Sequence, residues 1–276
     1  MSDAASPATA AALSRPDRWV LRAVVVGVVA GLASGLFGVG GGIVLVPGLV
    51  LLAGLDQRMA HGTSLTAIVP IALAGAIGYS TGGEVDWLAA LLTAAGVLLG
   101  TPIGVHLLGR LPERTLKIGF AIVLLLSAVR MITSPGDGAG RETVTLLSGA
   151  GFALTGLGAG VLAGVMGVGG GVVMVPAFTV LFGLPIVLAK GTSLAVIVPG
   201  AILGTVRNRA QGTTDLRLGL VAGVSGVATA ALASQLSLGL DPQVASISFA
   251  VLLVATVIRM VRKLVTDRDD DAEAEA

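Results

Sequence analysis

A chain of 276 residues, 54% hydrophobic and only 12% charged, with a mean hydropathy of +0.96, exceeds the apolar content of an ordinary soluble domain. Zero cysteines exclude disulfides, thiolate metal sites and thiol catalysis, and two histidines leave little basis for a transition-metal centre. Neither a cofactor nor a nucleic-acid partner is expected of a chain whose net charge is +1.

Residues 1–18 are small and polar, lack an apolar core and read as a cytoplasmic N-terminal segment rather than a cleavable leader. From Trp19 onward, apolar stretches of roughly 18 to 25 residues follow one another, long enough to cross a hydrocarbon core about 30 Å thick and without the alternation of a barrel strand. The fold class is thus all-α, a polytopic helical membrane protein. Segments are predicted near 19–36, 42–54, 62–80, 87–109 and 115–133. The region from Trp19 to Gly54 is too long for one crossing of about 20 residues. Its glycine-rich middle, "SGLFGVGGGIVLVP" at 34–47, therefore joins two arms of a hairpin.

Glycine inside a helix costs roughly 1 kcal/mol relative to alanine, so the run Gly38, Gly40, Gly41 and Gly42 ends a helix within the bilayer. Main-chain groups freed there need partners, because hydrocarbon offers none. The arm that restarts at Gly42 opens with free N–H groups and the positive end of its dipole, about half an elementary charge. Such an end attracts an anion without a charged side chain; glycines of this kind also serve close helix packing. In the triplet "GTS", Thr63 and Ser64 are expected to open the next span, as helix caps or as hydroxyl donors to a ligand. His61 beside them is an accessory candidate, either for the anion or for a proton, with a snorkelling interfacial role as the alternative. Glu84 and Asp86 read as solvated helix caps, and His106 as a polar group of the pathway.

Residues 134–144, rich in Pro, Gly and charge, read as a linker. Beyond it the sequence repeats. A shift of 129 positions pairs Gly38 with Gly167, Pro47 with Pro176, Thr63 with Thr192, Pro70 with Pro199, Asp86 with Asp215 and Arg130 with Arg259, with no gap. Between Ala30 and Pro47, 11 of 18 positions are identical to their partners, and "AHGTSLTAIVP" matches "AKGTSLAVIVP" at 8 of 11. Two transmembrane repeats follow, 19–133 and 145–264. The second carries the break Gly167, Gly169, Gly170 and Gly171, the hydroxyl pair Thr192 and Ser193, and Lys190 in the place of His61. Asp215 is a further expected cap and Gln235 a further polar group within a span. Residues 265–276 read as an acidic disordered tail.

Five segments per half, an odd number, make the second half enter the bilayer from the opposite side, an inverted-topology repeat. Basic residues, which collect in cytoplasmic loops, agree: with both termini inside, of the 17 only Arg130, Arg141 and Lys190 fall outside. Inverted halves would bring both breaks and both hydroxyl pairs toward one midplane site for a small oxyanion. Nucleotide use is not indicated. "GAGVLA" at 158–163 fits GxGxxA without a strand before it, and no GxxxxGK[ST] occurs.

At these residues the chain resembles a known family. "GLASGLFGVGGGIVLVPGLVLLAGLDQRMAHGTSL" and "GVLAGVMGVGGGVVMVPAFTVLFGLPIVLAKGTSL" are similar to the two signature segments of the sulfite exporter TauE/SafE membrane permeases, over about 19–264. The resemblance implies movement of sulfite, sulfonates or related small sulfur anions across the bacterial cytoplasmic membrane, commonly outward and without ATP. It places the glycine signature on Gly38, Gly40, Gly41 and Gly42 and on Gly167, Gly169, Gly170 and Gly171. The proline and Thr-Ser positions fall on Pro47, Thr63 and Ser64 and on Pro176, Thr192 and Ser193.

The expected function is a permease, working as an exporter by alternating access, with the lipid bilayer and a small anion as partners and a proton as coupling ion for any uptake. A passive anion channel and a non-transporting membrane scaffold are the alternatives. A membrane enzyme ranks last, since no nucleophile–base pair is visible.

Overall fold

The computed structural model describes residues 19–108, 146–166 and 170–274, together with isolated helical positions between 121 and 133. Among the described residues there are nine helices and no strand. In chain order they are α1 (Trp19–Phe37), α2 (Gly42–Ala53), α3 (Gln57–Thr81), α4 (Trp87–Leu108), α5 (Leu146–Met166), α6 (Gly171–Leu181), α7 (Ile186–Ala210), α8 (Leu216–Leu238) and α9 (Pro242–Ala274). Four of them, α1, α3, α7 and α8, are long and apolar enough to cross a membrane. Their outward Leu, Val and Ile side chains, such as Leu21, Ile77, Val206 and Leu232, stay exposed, as a lipid-facing surface requires.

Local chemistry sets the ends. Asp56 accepts the Met59 N–H at 3.0 Å and starts α3 at Gln57. The triplet at 62–64 therefore lies in the second turn of the helix. Thr63 and Ser64 do not open the span as the sequence reading expects, because the cap is Asp56, seven residues before Thr63. Asp86 accepts the N–H groups of Leu88 and Ala89, and Asp215 that of Leu218, so two of the three expected caps are present; the start of α4 is capped by Asp86 and not by Glu84. Asp86 is buried rather than solvated. At the other end α9 continues to Ala274, so residues 265–274 are helical, against the expectation of disorder. An existing helix propagates cheaply, one hydrogen bond for each residue added, even through Asp267, Asp269, Asp270 and Asp271. The N-terminal segment, most of the 115–133 span, the 134–144 linker, Gly167 and Gly169 lie outside the described residues.

Without a hydrophobic drive between helices in lipid, small residues must let backbones approach. Gly27, Gly31 and Gly35 of α1 face Ala222, Gly226 and Ala230 of α8, where any Cβ would strike a carbonyl oxygen. Contact positions advance together, so α1 and α8 run parallel. Gly156 and Gly160 of α5 meet Thr93 and Val97 of α4 in the same way. A shift of 129 maps the first set of pairs onto the second, 27 to 156 and 222 to 93. Each half thus donates a helix to the other.

At the centre α3 packs on α7. Leu65 would meet a Cβ on Gly204, and Leu194 one on Gly75. These two contacts exchange under the same shift, and they run in opposite directions along the two helices. By that symmetry the crossing centres on the equivalent residues Pro70 and Pro199.

Candidate functional site

Both breaks contain backbone geometry that only glycine adopts readily. Gly38, Gly40 and Gly41 have φ of 72°, 72° and 76°, and Gly170 has 74°. The last turn of α1 closes with the Gly38 N–H donating to the Ser34 carbonyl at 2.8 Å. Gly41 then starts α2, its carbonyl accepting from Val44 and Leu45 at 3.0 and 2.9 Å, and Gly170 starts α6 by the same pair of bonds to Val173 and Met174, both 3.1 Å. Neither cap has a side chain, so the first N–H groups of α2 and α6 have no capping oxygen from it.

The two breaks meet. A Cβ on Gly171 would lie 2.8 Å from Val39 Cα and 2.6 Å from Ile197 Cδ1. A Cβ on Gly40 would sit 3.1 Å from Ile197 Cγ2 and 3.4 Å from Ile68 Cγ2. Ile68 and Ile197 are equivalent positions, next to the Pro70–Pro199 crossing. Two half-helix N-termini therefore converge at the centre of the bundle between apolar side chains, where their positive ends are little screened. All of residues 38–42, with Gly170 and Gly171, are buried.

The hydroxyl pairs do not join them. Thr63 Oγ1 accepts the N–H of Asp215 at 3.0 Å, and Thr192 Oγ1 accepts that of Asp86 at 3.0 Å. Gly62 and Gly191 make these approaches possible, since a Cβ on either would strike the carbonyl oxygen of Thr213 or Glu84. Each "GT" is therefore a clasp on the loop that precedes a helix of the other half. The clasps lie at opposite ends of the α3–α7 crossing, separated by about 14 helical rises, roughly 20 Å. Ser64 Oγ donates to the His61 carbonyl at 2.8 Å, while Ser193 Oγ is buried with no hydrogen-bond partner.

Lys190 does not snorkel: it is 1% exposed, and Gly38 packs on its main chain, a Cβ there falling 2.6 Å from Lys190 Cα. His61 is half-buried. Gln235 braces α8 to α3 by donating to the Gly78 carbonyl and to Thr81 Oγ1, at 2.9 and 3.0 Å. For His106 the helix is described but not the side chain. Around the end of α1 the structure adds residues the sequence reading missed. Tyr79 Oη donates to the Gly35 carbonyl at 2.6 Å, and Ser237 Oγ to the Leu36 carbonyl at 3.4 Å. One signal was available, since Tyr79 is the only tyrosine of the chain and sits in an apolar span.

Comparison with known proteins points one way. The family model described as sulfite exporter TauE/SafE matches residues 4–131 and 152–275. A probable membrane transporter protein, YunE of Bacillus subtilis, is 29% identical over 213 residues, covering 68% of this chain and 78% of the relative. A probable membrane transporter protein of Haemophilus influenzae is 32% identical over 183 residues, 63% of this chain and 68% of the relative. The sulfite exporter TauE/SafE family protein 5 of Arabidopsis thaliana is 32% identical over 117 residues, 42% of this chain and 26% of its own.

Proposed function

Because this multi-pass membrane protein belongs to the sulfite exporter TauE/SafE family of transporters, and is no enzyme, we propose that it is a permease for a small sulfur-containing oxyanion. The anion binds where the broken helices meet and passes by alternating access. One observation carries this reading: the starts of α2 and α6 converge at the centre of the bundle, with Val39 of one break against Gly171 of the other. Gly40, Gly41 and Gly42 and their equivalents, Gly170 and Gly171 among the described residues, supply N–H donors, while Gly38, whose N–H is held by the Ser34 carbonyl, shapes the break. A sulfur oxyanion offers oxygens to accept them. The full glycine signature also includes Gly167 and Gly169.

The two halves form an inverted-topology repeat, with both termini cytoplasmic. Support comes from the opposite contact direction of α3 and α7, from the exchange of α1 and α4 partners between halves, and from the distribution of basic residues. Two hairpins of equal build reaching the middle from opposite faces form one central site with an exit on each side. Rocking of the halves about the Pro70–Pro199 crossing exposes the site to one side at a time.

Energy for export needs no ATP. An inside-negative potential favours outward movement of each negative charge by about 2.3 kcal/mol per 100 mV, and uptake needs a coupling proton. Flux of sulfite, sulfate, thiosulfate and an organosulfonate into liposomes carrying the purified protein tests the reading. Saturable sulfite flux, accelerated by unlabelled sulfite on the far side, is the expected result. Flux without such acceleration would mean an open anion channel, and absence of flux for all four anions would overturn the permease reading.

A further inference from the structure

Among the residues whose side chains are described, Lys190 is the one buried cation. Its ammonium donates to Ser237 Oγ at 3.2 Å, beside the last carbonyls of α1. An ammonium has three donors, yet among the described residues that is its one hydrogen bond, and no carboxylate pairs with it. A buried charge held this way is expensive, and within membranes such groups mark the paths of ions and substrates. Its place fits that role. Gly38, the first glycine of the break, rests on the Lys190 main chain. One turn along α7, the Ser193 hydroxyl is fully buried and unpartnered. So is that of Ser34, whose carbonyl takes the Gly38 N–H.

The equivalent place in the other half is built differently. His61 stands for Lys190, the Ser64 hydroxyl is spent on the His61 carbonyl, Ala163 stands for Ser34, and Asn208 for Tyr79. We infer that the charge of the transported oxyanion is met by Lys190, with Ser193 and Ser34 as neutral donors, so that the anion has one subsite at the α1 end of the breaks rather than two symmetric ones. The inference rests on the permease reading and gives its site a polarity: the anion exchanges main-chain donors at the centre for an ammonium and two hydroxyls at one end. A doubly charged or strongly hydrogen-bonding oxyanion gains most from that exchange.

The test compares Lys190→Met, Lys190→Arg, Ser193→Ala and Ser64→Ala with the parent in sulfite flux, and reads sulfite-dependent thermal stabilisation of each purified protein. The Met variant should raise the half-saturating sulfite concentration about tenfold or more and lose the sulfite-dependent stabilisation. The Arg variant should restore part of both. Ser193→Ala should raise half-saturation more than Ser64→Ala does. Unchanged half-saturation in Lys190→Met, with a lowered melting temperature alone, would make Lys190 only a counter-charge for the carbonyl end of α1. Equal effects of the two serine variants would mean two symmetric sites; either result overturns the inference. If the parent moves no anion, the permease reading fails and takes this one with it; parent flux with indifferent variants sinks the subsite alone.

Discussion

Thr63 and Thr192 illustrate how a residue's chemistry can be foreseen while its partner is not. Their hydroxyls are used, as the sequence suggested, but to accept the N–H groups of Asp215 and Asp86 from the opposite half. Nothing local in "GTS" reveals that, because the bonded residues are 152 and 106 positions away. Thr63→Val leaves the half-buried N–H of Asp215 unpaired and should cost about 1 kcal/mol of stability, with half-saturation for sulfite unaltered. Thermal unfolding in detergent beside flux measures both, and a shifted half-saturation would return Thr63 to the anion. At the break, the left-handed backbone at Gly41 disfavours any L side chain by about 1 to 2 kcal/mol. A Cβ there would also fall 2.7 Å from the Ala30 carbonyl oxygen. Gly41→Leu should therefore abolish flux, read as loss of saturable uptake in protein that still inserts.

Among the elements, the breaks were legible and the tightest packing was not. Gly38 to Gly42 stood out because four glycines crowd into five positions of an apolar run. The wider glycine spacing of α1, Gly27, Gly31 and Gly35, reads as composition until the helix it meets is known. A four-residue repeat places all three on one face, and that face lies against α8. Gly31→Val drives a branched side chain into the Gly226 carbonyl, so α1 and α8 must separate and the folded yield should collapse. Val25→Ala, at an exposed position of the same helix, should keep it. Comparing the monodisperse fraction after solubilisation separates the two outcomes. The start of α3 is hidden for a related reason: Asp56 is a strong cap, but the apolar pattern of the helix begins only beyond Arg58. In α9 the apolar pattern ended where the helix did not, since an established helix adds residues cheaply without needing a core.

For the whole molecule, repetition at a single unbroken offset carried most of the architecture, because a residue and its equivalent must find equivalent surroundings. What the offset could not give was which elements touch across the halves. The direction of each half in the bilayer can be tested directly, because the chain has no cysteine of its own. Gly82 and Gln211 are equivalent, exposed and of similar backbone, with φ of −85° and −88°. Cysteine placed at 82 should react with a membrane-impermeant maleimide on intact cells, and cysteine at 211 only after permeabilisation. Labelling of both from the same side would remove the inverted repeat. The pairing of α1 with α8 also bears on how the protein is made. Ser225, Thr229 and Ser237 of α8 bond carbonyls 201 residues upstream in α1. At ribosomal speeds of about 5 to 20 residues per second, α1 waits some 10 to 40 s in lipid before its mate exists. During biogenesis its glycine face must be sheltered by an insertase, a chaperone or lipid itself, and truncated chains that end before residue 216 would never bury it.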